Sequence, residues 1–370
     1  MVTRRHLLFK MPTDKRPKYK EKLLEISASP PNMIIKMGTY RRQWVPTELF
    51  DNPSSSHDKL AWVICIDQHK ATERSMGGDL EHRFIPVREV RVVKAKTEGE
   101  NLLLWLETKG YLCCDDYDKC KQELIRKIPS LPPGERRFIA LDVDVSDIAS
   151  IKVLDAAQYD TTNECWRKLA GGFANMAVYS DAIFYRIVGI SKNKSYLEMR
   201  DGLGPDDPIR FYQVTANETH YLEVYYWLPE AQFDLCPQDL MVSADGWLKI
   251  YDQCTMDDRI GTLRIPLRAT TADPFPYEQS IGLTVALRPG QLTGPSIKLP
   301  IRFLPERLRR RLRRGLKRIA LFIILAASFF FGLTLQEWLP GTGPYYGAAI
   351  STIAVVLIPL LVQRVLAKDR

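Results

Sequence analysis

The chain has 370 residues, of which 45% are hydrophobic and 26% are charged. This composition excludes a disordered protein and allows one or two packed domains. The net charge of +8 is uneven: residues 1–50 carry 11 Lys and Arg against 4 Asp and Glu, and residues 302–370 carry 12 against 3, so residues 51–301 are acidic. An acidic body argues against general nucleic-acid binding over its surface.

The N-terminal segment, residues 1–30, is basic and has little hydrophobic periodicity. It ends in Ser-Pro-Pro and lacks the apolar stretch of a signal peptide. We therefore expect a flexible basic arm. The seven cysteines of the chain show no disulfide-framework spacing, which fits a reducing compartment.

Residues 31–133 contain short runs rich in β-branched and aromatic residues, namely MIIKM, LAWVICI, FIPV, VRVVKA and NLLLWLE. Glu98–Gly99, between the last two runs, is typical of a hairpin turn. The segment CDDYDKCKQELIRKI predicts one helix, and the Pro-rich PSLPPG that follows it predicts a domain boundary. This region is expected to be a small β-rich domain with one helix.

Residues 134–303 begin with a strand and a helix at 161–170, where Thr161 and Glu164 form a capping box and Gly171–Gly172 is expected to end the helix. From Ala182 onward, short alternating runs recur at regular spacing with turn residues between them, and Asp245–Gly246 predicts a hairpin. The expected fold class is α+β and mainly β, with a β-sandwich-like domain of antiparallel sandwich or barrel type.

Residues 304–318 repeat leucine every four positions among basic residues, a pattern typical of an amphipathic helix on a membrane surface. Its partner would be a bilayer with anionic headgroups. A nucleic-acid-binding arm has a similar composition and is the alternative. The expected membrane-surface residues are Arg309, Arg310, Arg311, Arg313, Arg314, Lys317 and Arg318.

Residues 319–363 contain two apolar runs without ionisable residues, which predict a two-helix transmembrane hairpin. A buried hairpin in a soluble protein is the alternative. Basic residues flank both runs, so the soluble domains, both termini and the tail 364–370 are expected to be cytoplasmic. Small residues predict close helix packing and a homo-oligomer: Ser328, Gly332, Gly347 and Ser351.

Catalytic signatures are weak in this sequence. No phosphate loop, nucleophile elbow or paired CxxC occurs. Cys65 could pair with a histidine (His57, His69 or His82), but its apolar neighbours favour a packed core thiol. Asp142 and Asp144 share one side of a strand and could hold Mg²⁺, although a half-exposed strand gives the same pattern. We expect no catalytic residue, no metal and no cofactor.

The strand HYLEVYYWL is the strongest candidate for contact with a ligand or partner. Alternation places Tyr221, Tyr225 and Trp227 on one face and Tyr226 on the other. One face must belong to the core, and the other could line a binding site. These four residues are therefore the predicted ligand-binding set, for an unknown small ligand or protein partner.

Together these features predict a non-enzymatic, membrane-anchored cytoplasmic sensor or binding module. Recognition of its ligand or partner would be coupled to assembly of the transmembrane hairpin, with a membrane-perturbing effector as one form of this function. Two alternatives stay open: a membrane-tethered hydrolase that uses a cysteine or a metal, and a passive membrane scaffold.

Overall fold

The computed structural model describes residues 3–12, 17–69, 81–128, 138–155, 159–202, 207–215, 218–230, 238–244, 248–250, 254–269, 279–287 and 294–304. Within these ranges the protein is mainly β, and its strands form three sheets. Four α-helices accompany the strands in the same ranges.

The first sheet has seven strands, all of which lie within the first 154 residues. Its order is β2-β5-β4-β3-β1-β6, and β7 pairs with β5. β1 and β3 run parallel, whereas the other pairs are antiparallel. The strands are β1 Arg4–Lys10, β2 Ile34–Arg41, β3 Leu60–His69, β4 Glu81–Glu98, β5 Asn101–Cys114, β6 Ile139–Asp144 and β7 Ile151–Leu154.

Helices cover both faces of this sheet because its central strands are apolar on both sides. In β1, Leu8 packs in the main core with residues of α1 and α4, whereas Leu7 and Phe9 pack in a second core with residues of α3. Successive strand side chains point to opposite faces, which explains the division. The helices are α1 Pro17–Ala28, α2 Thr47–Asp51, α3 Tyr117–Lys127 and α4 Tyr159–Ala174.

The remaining strands form two further sheets, which share the main core with the first sheet. The five-stranded sheet has the order β14-β16-β12-β8-β9, and the six-stranded sheet has the order β10-β11-β18-β17-β13-β15. Their strands are β8 Phe184–Lys192, β9 Ser195–Tyr196, β10 Met199–Gly202, β11 Ile209–Thr215, β12 Thr219–Trp227, β13 Gln238–Ala244, β14 Leu248–Ile250, β15 Cys254–Met256, β16 Ile260–Ala269, β17 Gln279–Leu287 and β18 Ile297–Leu304.

The five-stranded sheet forms a middle layer. On one face, the Tyr225 ring meets Trp166 of α4 edge-on, with 5.6 Å between ring centroids. On the other face, the Tyr185 hydroxyl donates to the carbonyl of Val285 in the six-stranded sheet, at 2.8 Å. Both faces of β8 and β12 are therefore covered, and this decides which of their side chains can meet a ligand.

The β-rich character expected from the sequence agrees with the structure, but several local predictions do not. Residues 4–10 form β1 between β3 and β6, so they are not part of a flexible arm. The predicted boundary at residue 134 separates strands that pair, because β6 pairs with β1 and β7 with β5. α4 runs through Gly171 and Gly172 to Ala174 instead of ending at the glycines.

The two predicted hairpin turns have different outcomes. Glu98 pairs with Asn101, and Gly99 has a φ of 56°, so the β4–β5 hairpin is confirmed. The hairpin at Asp245–Gly246 is wrong: β13 pairs with β15 and β17, whereas β14 pairs with β16 in the other sheet. Asp245 and Gly246 themselves lie outside the described residues, and the strands on either side of them belong to different sheets.

The transmembrane part of the predicted fold class, with its integral-membrane localisation, is corrected. Among the described residues, no helix is long and apolar enough to cross a membrane. The longest, α4, has 16 residues and includes Glu164, Arg167 and Lys168, and at 1.5 Å per residue it spans only about 24 Å. The predicted surface helix was 304–318, and its first residue, Leu304, is instead the last residue of β18. The rest of that helix, the hairpin at 319–363 and the tail at 364–370 lie outside the described residues, with all their named side chains.

Candidate functional site

The aromatic residues predicted to bind a ligand are largely covered by neighbouring layers. Tyr225 and Tyr226 are buried, 8% and 4% exposed, in the main core. The Trp227 ring contacts Phe184, with centroids 6.0 Å apart. Tyr221 is half-buried beneath the Arg264 guanidinium, which lies 4.0 Å from its ring centroid. The four side chains do not converge on one surface.

Tyr225 nevertheless lies beside a charged side chain, Arg186, that was not among the residues predicted from the sequence. In the antiparallel pair of β12 and β8, Tyr225 is directly opposite Arg186. Directly opposed residues project to the same face of a sheet, here the face covered by α4. Arg186 is only 3% exposed, so the middle layer carries a buried guanidinium against the first sheet.

A second buried arginine, Arg88 of β4, lies next to it and has no exposed surface. Its Nη1 donates to the carbonyl of Ile26, at 2.9 Å, and to that of Ser29, and its Nε donates to the carbonyl of Lys109 at 3.1 Å. Ile26 and Ser29 lie at the C-terminal end of α1, where carbonyls lack partners within the helix and the helix dipole is negative. These bonds give Arg88 a structural role.

The Tyr111 ring of β5 lies close to both guanidinium groups. Its ring centroid is 4.3 Å from the Arg88 guanidinium carbon and 5.4 Å from that of Arg186. Its hydroxyl accepts from Arg88 Nη1 at 3.3 Å and donates to the Ser27 carbonyl at 2.8 Å. Contact with an aromatic face offsets part of the cost of burying a cation. We call Arg88, Tyr111 and Arg186 the arginine pair site.

Three nitrogens of this site have no acceptor. Within the described part of the chain, Arg88 Nη2, Arg186 Nε and Arg186 Nη2 are buried without a hydrogen-bond partner. Burial lowers the pKa of Arg88, and so does the charge of Arg186, while Tyr111 and Tyr212 act in the opposite direction. Arginine stays protonated in proteins, so two positive charges share this interior.

Other partly buried cations near the first sheet form ion pairs with carboxylates. Glu107 of β5 is fully buried and receives Arg91 Nε at 2.6 Å, Lys109 Nζ at 2.7 Å and Arg210 Nη1. Arg5 Nε donates to Glu89 at 2.9 Å. By contrast, no described carboxylate forms a salt bridge with either arginine of the arginine pair site.

The residues considered for hydrolysis do not form a catalytic arrangement. Cys65 is fully buried with its Sγ 4.0 Å from Met176 Sδ, and burial followed by Asp67 raises the pKa of its thiol. Asp142 faces His6 and Lys59, at 3.8 and 3.6 Å, and Asp144 accepts from Ser146. Among the described residues, no group of three or more metal-ligating side chains is placed to hold a metal ion.

The comparisons with known proteins add little. No protein-family model matches the chain, and no curated protein matches it. A solved structure of the Vibrio cholerae VesB protease aligns with 74% of this chain and 96% of its own length, at 8% identity and a TM-score of 0.18. A similarity this low indicates neither a shared fold nor a shared activity.

The sequence does contain a signal for the arginine pair site. Arg186 is the one charged residue in the apolar run AIFYRIVGI, and Arg88 stands in FIPVREV. A charged residue within a strand that is apolar on both faces must enter the core, where charges occur only with a partner. The sequence prediction instead placed the binding residues on β12, the strand that pairs with the Arg186 strand, because β12 is rich in aromatic residues.

Proposed function

We propose that this chain is a binding module that takes an anionic group on the arginine pair site. The observation that carries the proposal is the pair of buried guanidinium groups with three nitrogens lacking acceptors. Burying a charge without a counter-charge costs several kcal/mol, so two such charges side by side favour a missing counter-charge. A bound anion would supply it.

The three guanidinium nitrogens without an acceptor indicate which kind of anion would fit. Nε and Nη2 form one edge of the planar Arg186 guanidinium, and this edge can donate two parallel hydrogen bonds to the two oxygens of a phosphate or carboxylate. Arg88 Nη2 adds a third donor from the opposite layer. A group with at least two acceptor oxygens and a negative charge therefore suits the site better than a neutral ligand.

The position of the arginines suggests how binding would be sensed. Arg88 belongs to the first sheet and also holds the end of α1, whereas Arg186 belongs to the middle layer. Without an anion, the two charges repel across this junction, and an anion converts the repulsion into attraction. Occupancy would therefore tighten the contact between the two layers. The expected lipid and self-association partners were argued from residues beyond position 304 and stay predictions.

Thermal unfolding of the full chain with phosphate or acetate, against chloride at equal ionic strength, tests the proposal. At least one of the two anions should raise the melting temperature of the wild type. Arg186→Met should abolish this rise while leaving the anion-free protein at least as stable, because it removes an unpaired buried charge. Arg186→Lys keeps the charge without the two-donor edge and should bind the anion more weakly.

Arg200→Met is the matched control, because Arg200 is exposed on β10 and the charge change is the same. It should respond to the anion as the wild type does. If neither anion stabilises the wild type, or if Arg186→Met responds as strongly as Arg200→Met, the anion site is not where we place it.

A further inference from the structure

Four cysteines lie around the end of β5, in two pairs. Cys113 and Cys114 are consecutive in the strand and point to opposite faces. Cys114 packs in the second core with Cys120 of α3, whereas Cys113 packs against the main core, which contains Cys165 of α4. The same stretch of strand therefore presents one thiol to each helix.

The two pairs differ in exposure. Cys114 and Cys120 are 6% and 0% exposed, and the Cys114 thiol donates to the Asp116 carbonyl at 3.2 Å. Cys113 is only half-buried, at the boundary where β5, β7 and α4 meet. A soluble reagent can therefore reach Cys113 but not the Cys114–Cys120 pair, which serves as an internal comparison.

Two neighbours of Cys113, the Cys165 thiol and the Lys168 ammonium group, favour its thiolate. A hydrogen bond with the Cys165 thiol and the charge of Lys168 lower the pKa of Cys113 to about 7, against the opposing effects of burial, Asp115 and Glu164. Lys168 lies one turn after Cys165 on α4, and its Nζ is 2.6 Å from Asp115. Lys152 is opposite Cys113 in β7 but is not among the groups that shift this pKa. With a pKa of about 7, roughly half of the Cys113 thiol is ionised at neutral pH, and the thiolate is the nucleophilic form.

The pKa of Cys165 is shifted in the opposite direction to that of Cys113. The hydrogen bond with Cys113 and burial both raise the pKa of Cys165, so it remains a thiol beside the Cys113 thiolate. One sulfur can attack and the other can resolve, which is the arrangement of reversible cysteine oxidation sites.

We infer that Cys113 and Cys165 form a dithiol site that hydroperoxides oxidise to an intramolecular disulfide, a chemistry separate from the anion binding proposed above. The Cys113 thiolate attacks one peroxide oxygen, the O–O bond breaks, and hydroxide leaves to give a sulfenic acid. Hydroxide takes the Cys165 proton. The Cys165 sulfur then attacks the Cys113 sulfur, the S–O bond breaks, and hydroxide leaves as water after protonation. In sum, two thiols and one hydrogen peroxide give one disulfide and two waters.

The experiment treats the reduced full chain with one equivalent of hydrogen peroxide and follows it by intact mass and non-reducing peptide mapping. The wild type should lose two hydrogens and yield a linked Cys113–Cys165 peptide. Cys165→Ser should stop at the sulfenic acid, gaining one oxygen that dimedone traps. Cys113→Ser should react at least about tenfold more slowly, because the reactive thiolate is gone.

Cys120→Ser is the matched control, since it removes a buried thiol from the other pair and should form the Cys113–Cys165 bond at the wild-type rate. The wild-type rate should rise with pH around a midpoint of about 7. Lys168→Met should raise that midpoint, and Lys152→Met should leave it unchanged. A wild type that keeps all its thiols, links Cys114 to Cys120 instead, or reacts no faster than Cys113→Ser overturns the inference.

Discussion

At the scale of single residues, the buried charges of this protein fall into two groups. Glu107 is surrounded by cations, and Arg88 Nη1 donates to two carbonyls at the end of α1. Each therefore has a structural explanation. Arg186, equally deep, has none within the described residues, and its open donor edge is what distinguishes a binding group from a structural one.

Lys10, at the end of β1, is a third kind of buried charge. It is 2% exposed, with its Nζ 3.8 Å from the Tyr40 ring centroid. Burial, followed by the charge of Lys22, lowers the pKa of Lys10 from 10.5 to about 7. Above about pH 7 the folded protein therefore holds Lys10 without its proton, while the unfolded chain keeps the proton until pH 10.5.

This difference predicts a pH dependence of stability. Between these two pKa values the unfolded state binds more protons, so the Lys10 contribution to the free energy of unfolding rises with pH. Relative to Lys10→Met, the wild type should gain stability as the pH is raised from about 6 to about 9, as measured by urea unfolding. Lys96→Met, at an exposed lysine of β4, should keep the wild-type slope. Parallel curves for wild type and Lys10→Met would contradict the prediction.

At the scale of elements, one of the two hairpins predicted from the sequence is present, and the long-range pairing of β1 was not predicted. The β4–β5 hairpin follows from Gly99 and the alternating strands beside it. The same type of signal at Asp245–Gly246 failed, because β14 has its partner β16 in another sheet. β1 was missed for a similar reason: its short apolar core is flanked by basic residues, and its partners β3 and β6 begin more than fifty residues later.

The role of β1 can be measured through one side chain. Leu8 is 1% exposed in the main core, so Leu8→Ala should lower the free energy of unfolding, by roughly 2–5 kcal/mol for a buried leucine. Ile125→Ala, at an exposed position of α3, should change it by less than about 0.5 kcal/mol. Denaturant unfolding of both variants provides the measurement. A flexible N-terminal arm would instead make the two variants equally stable.

At the scale of the whole molecule, the main core contains residues from both sides of the domain boundary that the Pro-rich segment predicted. Leu104 of β5, Trp166 of α4 and Ile265 of β16 belong to one continuous cluster of buried side chains. The Trp166 indole also donates to the Ser27 carbonyl at 3.0 Å, so α4 is bonded to the end of α1 while it packs on the middle layer. A proline-rich sequence marks a loop reliably, but only the packing decides whether the flanking segments fold separately.

This continuity predicts that the described sheets unfold as one cooperative unit. Native-state hydrogen exchange at low denaturant should give the β5 amides and the β12 amides the same highest opening free energy.

Ile265→Ala removes buried side-chain volume from the five-stranded sheet, where Ile265 is 1% exposed. This change should lower the opening free energy by roughly 2–5 kcal/mol. Because the core is shared, β5 should lose as much protection as β12, although β5 lies in the first sheet. The exposed Ile260→Ala, in the same strand, is the control and should leave both values unchanged. Loss of protection confined to β12 would mean that the sheets after residue 134 fold on their own, as the sequence suggested.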